Sequence, residues 1–211
     1  MHPGNYRIDR EKIFDRAERK ALLKTCKERA ELDLFHGRET WVKRYMLVDL
    51  ALFTGLRVSE MAALKIGDIN LKAKDPYIIV RNGKGGKKRE VYLDKALARH
   101  LKEFIAHKKK AWGEPTEQEA PLFLGRNNGH CAPITLMKSF KRAVLTAGLP
   151  EHYSIHCARH TYATFLLNDT SNMRYVQKQL GHSQIGMTAH YADILPEQNG
   201  NLANMIERDE S

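Results

Sequence analysis

The sequence predicts a mainly α-helical domain with one small three-stranded antiparallel β-sheet. Helix-capping residues and apolar residues at helical spacing recur along most of the chain. Between residues 66 and 93 the pattern changes to short runs of β-branched and aromatic residues around a glycine-rich stretch. The chain has 211 residues, of which 42% are hydrophobic, and this is enough to bury one compact core.

The first predicted element is a helix that begins at Asp15. Asp15 and Glu18 have the spacing of a capping box, in which each side chain accepts a hydrogen bond from the other residue's backbone. Residues 24–39 are rich in acidic and basic side chains. We interpret them as the end of this helix and a solvated loop.

The next helix is expected to form the centre of the core. Thr40 is a suitable N-cap, residues 41–53 are strongly apolar, and Gly55 is a natural stop because glycine readily adopts the left-handed conformation. A helix that is apolar all round has no side suited to solvent. A shorter helix is predicted over residues 58–64.

The sheet is predicted around a hairpin. Residues 77–80 and 90–93 are two β-rich runs, and the glycine-rich stretch 82–88 joins them as a flexible, basic tip. Residues 66–71 are expected to add a third strand.

The second half of the chain returns to helices. Asp94 is expected to cap a helix that ends in the basic residues 107–110, and residues 113–121 form the clearest loop. Gly181 is expected to end the last helix. Further helices are predicted over residues 135–147, 154–167 and 172–180.

The charge balance points to a polyanionic partner. The chain has 35 Lys and Arg against 25 Asp and Glu, a formal net charge of +10 at pH 7, and nucleic acid is the commonest polyanion. Charge alone also fits general solubility or attraction to a membrane surface. No apolar run approaches the roughly 18 residues of a membrane span, and the N-terminus lacks a signal-peptide pattern. Three widely spaced cysteines, Cys26, Cys131 and Cys157, indicate a reducing cytosol without a disulfide framework.

Arg57 is the first candidate site residue. It follows the helix stop at Gly55, and a buried arginine needs a carboxylate or a bound anion as its partner. Glu60 lies three residues later, at the right helical spacing to hold the guanidinium. Taken alone, these two residues are better explained as an ordinary ion pair at the start of a helix.

Lys84 is a candidate general acid. At the tip of the hairpin its long cationic side chain can reach into a ligand and protonate a leaving oxygen. The simpler alternatives are that Arg81, Lys84, Lys87, Lys88 and Arg89 form a solvated basic turn, or that they contact a DNA backbone.

His156 and Arg159 are three residues apart on a predicted helix, so both project from one face, as a base and a phosphate clamp would. His160 is a competing partner, because His156 and His160 at i, i+4 could also bind a metal. A metal is the weaker hypothesis, since the guanidinium of Arg159 would lie beside it. We interpret His160 as a structural histidine. Further metal ligands would have to come from Cys157, His182 and His190.

His182 and Tyr191 complete the set of candidates. His182 follows Gly181 at a helix C-terminus, where the helix dipole favours a protonated imidazole. Tyr191 carries a hydroxyl that can form a covalent intermediate. Separately, each fits an ordinary helix cap or core tyrosine. Their joint occurrence with two arginines indicates phosphoryl transfer to Tyr191.

The order of these residues matches a known family. The set consists of Arg57, Lys84, His156, Arg159, His182 and Tyr191. The surrounding motifs are Thr-Gly-Leu-Arg-Val-Ser-Glu at residues 54–60, Gly-Lys-Gly-Gly-Lys at 83–87, His-Cys-Ala-Arg-His-Thr at 156–161 and Leu-Gly-His at 180–182. From about residue 14 to about residue 194 the chain resembles the catalytic domain of the tyrosine recombinase, or phage integrase, family. Within this family it is most similar to the Xer and phage or conjugative-element integrases.

The resemblance implies the catalytic-domain fold of this family and a phosphate clamp. Arg57 and Arg159 would clamp the scissile phosphate of DNA, and His182 would hydrogen-bond it. Glu60 would support Arg57.

The resemblance also implies how strands are exchanged. His156 would assist Tyr191 as a base, Lys84 would protonate the departing 5′ oxygen, and Tyr191 would carry a 3′-phosphotyrosyl bond. A partner strand's 5′ hydroxyl would attack that bond, and a second exchange would resolve a Holliday junction. No metal, nucleotide or other cofactor is expected, because the phosphotyrosyl bond stores the phosphodiester energy.

The partner implied by the resemblance is double-stranded DNA with inverted-repeat sites. The expected assembly is a homotetramer on DNA and a monomer when free, in the cytoplasm at the nucleoid and not at a membrane, with accessory DNA-binding proteins as candidate partners. Two alternatives stay open: a type IB topoisomerase-like or telomere-resolving enzyme, and a DNA-binding regulator that no longer catalyses. The DNA-binding residues expected beside the active site are Arg81, Lys87, Lys88 and Arg89.

The predicted domain organisation has three parts. Residues 1–13 are expected to be an N-terminal arm or linker remnant, residues 14–194 the catalytic domain, and residues 195–211 a tail with a short helix. No separate N-terminal core-binding domain is expected. The tail is expected to dock onto a neighbouring subunit, to pack on its own domain or to fray, and the sequence favours none of these over the others.

Overall fold

The computed structural model describes residues 10–81 and 88–181. Its α-helices are α1 (Arg16–Phe35), α2 (Thr40–Thr54), α3 (Val58–Ala62), α4 (Lys95–Lys110), α5 (Pro133–Thr146), α6 (Ile155–Thr170) and α7 (Met173–Leu180). Its strands are β1 (Ile69–Asn70), β2 (Tyr77–Val80) and β3 (Arg89–Tyr92). Short 3₁₀ turns occupy Arg10–Lys12, Ile66–Asp68 and Arg126–Asn128. The predicted class, mainly helical with a three-stranded antiparallel sheet, is confirmed.

Helix α1 begins as predicted but is longer. The Asp15 carboxylate accepts a hydrogen bond from the Glu18 backbone at 2.7 Å, and the Glu18 carboxylate accepts one from the Asp15 backbone at 2.8 Å. Of residues 24–39, predicted as a helix end and a loop, the helix takes the part up to Phe35 and leaves a short loop before α2. Most of the charged residues there cover the solvated side of the helix, whereas its inner side is buried. That inner side consists of Leu22, Cys26, Ala30 and Asp33.

Helix α2 is the centre of the core, as predicted. It packs against α1, α4, α5 and α6, and most of its residues are buried. The prediction of Thr40 as its N-cap is wrong, because Thr40 is the first helical residue and Glu39 precedes it as N-cap. The carboxylate that binds the start of the helix belongs to Asp33 of α1, which accepts a hydrogen bond from the Trp41 backbone at 2.7 Å. Gly55 ends the helix with a φ of 61°, in the left-handed region.

The sheet has the order β1-β2-β3 with antiparallel pairing throughout. Ile78 of β2 lies opposite Val91 of β3, and both are fully buried against the helices. The predicted third strand is shorter than expected, because Ile66–Asp68 forms a 3₁₀ turn before β1. The hairpin tip, residues 82–87, lies outside the described residues.

The remaining helices occupy the predicted positions. Asp94 caps α4 by accepting hydrogen bonds from the backbones of Ala96 at 2.8 Å and Leu97 at 3.0 Å. A small second apolar cluster joins α6 to α7, and Gly181 ends α7 in the left-handed conformation. None of the described helices is both long enough and apolar enough to cross a membrane.

Candidate active site

Arg57 lies at the junction between α2 and α3, where the chain turns after Gly55. Its backbone N–H donates to Oε2 of Glu60 at 2.8 Å, and its Nη1 donates to Oε1 of Glu60 at 3.0 Å. The pair expected from the sequence is therefore present. The Arg57 side chain is 29% exposed, and Nη1 is its only guanidinium nitrogen bonded within the described residues. Arg57 thus keeps donors available for an anion.

Arg159 is brought beside this junction by α6. It is 7% exposed, its Nη2 donates to the carbonyl of Leu180 at 2.9 Å, and its Nη1 donates to the carbonyl of Gly55. Both carbonyls lie at helix C-termini, where the dipole of the helix is negative. The ends of α2 and α7 therefore hold Arg159 close to Arg57.

Gly55 has no room for a side chain. A Cβ atom there would lie 2.5 Å from Cδ1 of Tyr162 and 2.8 Å from Cδ2 of Leu180. Its positive φ adds a second reason for glycine. The close approach lets its carbonyl reach the guanidinium of Arg159.

Arg89 is buried, although the sequence predicts it among the DNA-binding residues of a basic turn. Its side chain is 8% exposed, and Nη1 and Nη2 each donate to one oxygen of Glu60 at 2.8 Å. Its Nε donates to the carbonyl of Gln179 at 3.0 Å. The structure therefore places Arg89 in an internal ion pair rather than at the surface.

A signal for this burial was present in the sequence. Alternate residues of a strand share one face, so Arg89 lies on the same face of β3 as the buried Val91, while Glu90 faces solvent. Sequence reasoning assigned the arginine by its charged neighbours and missed this alternation.

Glu60 has three cations around it. Burial alone would raise the pKa of this carboxyl, but the hydrogen bonds and charge of Arg89, the Arg57 backbone and the charge of Arg159 together lower it below its ordinary value. Glu60 is therefore ionised at neutral pH and orients the guanidiniums around it.

The rest of the predicted basic turn is only partly described. Arg81 is half-exposed and forms an ion pair with Asp68, and Lys88 is exposed. Lys84 and Lys87 lie outside the described residues, as do His182 and Tyr191. The structure thus brings together Arg57, Glu60 and Arg159 of the predicted site.

The two histidines of α6 are in different environments. His156 is exposed, one turn before Arg159. His160 is partly buried, and burial, followed by the charges of Arg159, His156 and Lys12, lowers its pKa to about 4. His160 is therefore neutral at pH 7, in keeping with its interpretation as a structural histidine.

The metal alternative finds no group of ligands in the described part of the chain. No cluster of three or more His, Cys, Asp or Glu side chains lies close enough there to hold an ion. His182 and His190 are outside that part. What the described residues offer is a positively charged site for an anion.

Comparison with known proteins identifies the family of the chain. The sequence model of the phage integrase family matches residues 12–198. The chain belongs to the phage integrase family. Its curated relatives include a tyrosine recombinase XerC of Bradyrhizobium diazoefficiens, 31% identical over 163 residues, with 76% of this chain and 49% of that protein covered. A tyrosine recombinase of Pseudothermotoga lettingae is 30% identical over 162 residues, with 77% of this chain and 53% of that protein covered. This integrase-family chain thus spans about half the length of the curated relatives it matches.

Solved structures of the family share the fold. The crystal structure of XerA recombinase superposes with a TM-score of 0.72 at 23% identity, covering 93% of this chain and 66% of that one. XerH recombinase, in a post-cleavage complex with a palindromic difH substrate, superposes with a TM-score of 0.72 at 24% identity, covering 92% of this chain and 52% of that one. The described helices and sheet are therefore those of a tyrosine recombinase catalytic domain.

Proposed function

We propose that this chain is the catalytic part of a site-specific DNA recombinase, which cleaves and rejoins strands through a covalent 3′-phosphotyrosyl intermediate. The observation that carries the proposal concerns two arginines, Arg57 and Arg159. Glu60 bonds Arg57 and feels the charge of Arg159, and Arg159 is bonded to the helix ends at Gly55 and Leu180. Two guanidiniums in this arrangement can fork onto one phosphate and neutralise the charge that develops during its transfer.

In the proposed mechanism, Tyr191 attacks the phosphorus while His156 accepts its proton. The bond between phosphorus and the 5′ oxygen breaks, and Lys84 protonates the leaving oxygen. His182 donates a further hydrogen bond to the phosphate. The 5′ hydroxyl of a second strand then displaces Tyr191. No metal or nucleotide takes part in this scheme, because the phosphotyrosyl bond conserves the energy of the phosphodiester.

The proposed substrate is double-stranded DNA with inverted-repeat sites. It is supported by the net charge of +10 and by the DNA-bound structures of the relatives XerH and Tn1549 integrase. We propose that Arg81, Lys87 and Lys88 contact the DNA backbone. We further propose that the protein is a monomer when free and a homotetramer on DNA, with residues 14–194 as its catalytic domain. It would act at the nucleoid, together with accessory DNA-binding proteins.

The test is to trap covalent protein–DNA adducts under denaturing conditions in a bacterial host and to sequence the attached DNA. Wild type, Tyr191→Phe and a control, Tyr77→Phe, are compared. Tyr77 pairs with Tyr92 at the end of the hairpin away from its tip, so loss of its hydroxyl should leave cleavage intact. We expect adducts with wild type and Tyr77→Phe only, attached to a short inverted repeat.

Other outcomes would favour the alternatives. Adducts spread over DNA without a common site would indicate a topoisomerase-like enzyme. Equal DNA binding without adducts in all three proteins would indicate a regulator that does not catalyse.

A further inference from the structure

Arg89 joins two parts of the site that are far apart in the sequence. Through Nη1 and Nη2 it forms a two-pronged ion pair with Glu60, 29 residues earlier, and through Nε it reaches the carbonyl of Gln179, 90 residues later. Each of its three guanidinium nitrogens therefore has a protein partner. Both Nη atoms of Arg89 pair with a carboxylate, so its charge is compensated, and it could reach a phosphate only by giving up that ion pair.

The contact with Glu60 extends to Arg57. The oxygen Oε1 of Glu60 accepts from both Arg89 and Arg57, and Oε2 accepts from Arg89 and from the Arg57 backbone. Because the fork of Arg89 occupies both oxygens in one plane, the carboxylate cannot rotate freely. Arg89 thus determines the orientation in which Glu60 meets Arg57.

The contact with α7 extends to Arg159. The carbonyls of Gln179 and Leu180 are consecutive, and the first accepts from Arg89 while the second accepts from Arg159. Gly181 makes room for this approach, since a Cβ there would lie 2.8 Å from Cδ of Arg89. Movement of the Arg89 side chain would therefore shift the end of α7 that holds Arg159.

We propose that Arg89 is a positioning residue that sets the separation between Arg57 and Arg159 and does not itself contact DNA. The inference rests on the proposed function, in which those two arginines bind the scissile phosphate. A lysine at position 89 would keep the charge, but its single nitrogen cannot bond both Glu60 oxygens and the Gln179 carbonyl at once.

The experiment measures single-turnover cleavage by Arg89→Lys on the site recovered from the adducts. One duplex carries the ordinary scissile phosphate, and the other carries an uncharged methylphosphonate there. We expect cleavage of the ordinary duplex to slow by about 10²-fold, the effect of a misplaced catalytic group. DNA affinity should change by less than about 2-fold, because a positioning residue is not a binding contact. On the methylphosphonate duplex, the cleavage defect of Arg89→Lys should be at least severalfold smaller, because an uncharged scissile group needs less neutralisation by the arginines.

Arg38→Lys is the matched control. Arg38 also bonds a buried carboxylate, that of Asp33 at 3.0 Å, but at the corner between α1 and α2. It should cleave both duplexes as wild type does. The double variant Glu60→Gln with Arg89→Lys should be less slow than the product of the two single defects, because Arg89 acts in part through Glu60. An equal defect of Arg89→Lys on both duplexes, or a loss of affinity as large as the loss of rate, would overturn the proposal.

A measurement without chemistry separates this inference from the proposed function. In ¹⁵N-labelled free protein, the guanidinium N–H resonances of Arg57 and Arg159 should shift and exchange faster in Arg89→Lys but not in Arg38→Lys. If wild type forms no covalent adducts, the proposed function is wrong. A shift of both arginine resonances in Arg89→Lys would still support the positioning role in that case. Unchanged resonances would overturn that role whatever the activity.

Discussion

Two carboxylates with little solvent exposure, Glu60 and Glu114, each bond two cations, yet their surroundings differ in charge balance. Glu114 accepts from Lys43 and Lys108 at 2.5 Å each, and Lys43 also pairs with Glu39 at 2.8 Å. Two lysines are thus matched by two carboxylates. Glu60 bonds Arg57 and Arg89, and it also lies in the field of Arg159.

The difference in charge balance distinguishes a structural cluster, around Glu114, from a candidate anion-binding site, around Glu60. In both clusters burial alone would raise the pKa of the carboxyl, and the neighbouring cations lower it below its ordinary value. The Glu114 cluster is neutral and ties α2 to the end of α4. Within the described residues the Glu60 cluster has three guanidiniums for one carboxylate. A cluster with more guanidiniums than carboxylates among the described residues favours binding of an anion, which here would be a phosphate.

The sharpest test of the comparison is to alter the positively charged cluster. Arg159→Lys keeps the charge but loses the two-pronged geometry, so DNA cleavage should fall by about 10³-fold. Its free energy of unfolding should change by less than about 2 kcal/mol, because one carbonyl bond can be kept. Single-turnover cleavage and urea denaturation measure the two quantities. A stability loss without a cleavage defect would contradict the assignment.

The neutral cluster should respond in the opposite way. Lys108 is fully buried, and Lys108→Met keeps its bulk while removing its charge. The free energy of unfolding should fall by about 3 kcal/mol, as expected when one partner of a buried ion pair is removed. The cleavage rate per folded molecule should stay that of wild type. Urea denaturation measures the loss of stability, and active-site titration by adduct yield gives the cleavage rate per folded molecule. An unchanged urea midpoint would contradict the structural role of the Glu114 cluster.

Two left-handed glycines provide a smaller, matched contrast. Gly148→Ala meets open space, so it should lose only about 1 kcal/mol of stability for its positive φ. Gly55→Ala should lose at least about 2 kcal/mol, because its Cβ would also collide with Tyr162. Cleavage should drop as well in Gly55→Ala only, since the Gly55 carbonyl holds Arg159. Thermal unfolding and DNA cleavage are measured for both variants. Equal losses of stability and of cleavage in Gly55→Ala and Gly148→Ala would contradict the special role of Gly55.

The mildest expected effect is on pH dependence. The pKa of His160 is lowered to about 4 by burial and then by Arg159, His156 and Lys12. The unfolded chain, with an ordinary histidine pKa of 6.5, binds more protons than the folded one between these values. The contribution of neutral His160 to the free energy of unfolding should therefore be fully present above pH 6.5 and be lost as the pH falls towards 4. In urea denaturation at several pH values, the free energy of unfolding should depend less on pH in His160→Gln than in wild type. An equal change in His36→Gln would show that the pH dependence does not come from His160.

Local signals in the sequence predicted much of the fold. The capping box of Asp15 and Glu18, the stops at Gly55 and Gly181 and both hairpin strands are confirmed to within a residue or two. Each depends on interactions between residues close in the chain, such as a side chain and a backbone group three positions away. The point within residues 24–39 at which α1 ends was left open, because the helical state there depends on burial of one face against α2.

The candidate site was predicted in part. Arg57 and Glu60 pair at the helical spacing that the sequence shows, and family membership supports the choice of Arg159. Lys108 was predicted only as part of the basic end of a helix, and the structure buries it on Glu114. Arg89 was grouped with the DNA-binding residues because of its charged neighbours, but a carboxylate from another segment, that of Glu60, pairs with it in the interior.

Patterns in the amino-acid sequence are enough to predict where most helices and strands begin and end, which helix forms the core, and which cations are candidates for a phosphate site. These features depend on neighbours within about one or two helical turns. Which cations are paired with carboxylates depends on the packing of distant segments. In this site the pairing involves residues as far apart as 60, 89 and 179, and electrostatic energy is set by distance and burial rather than by order along the chain.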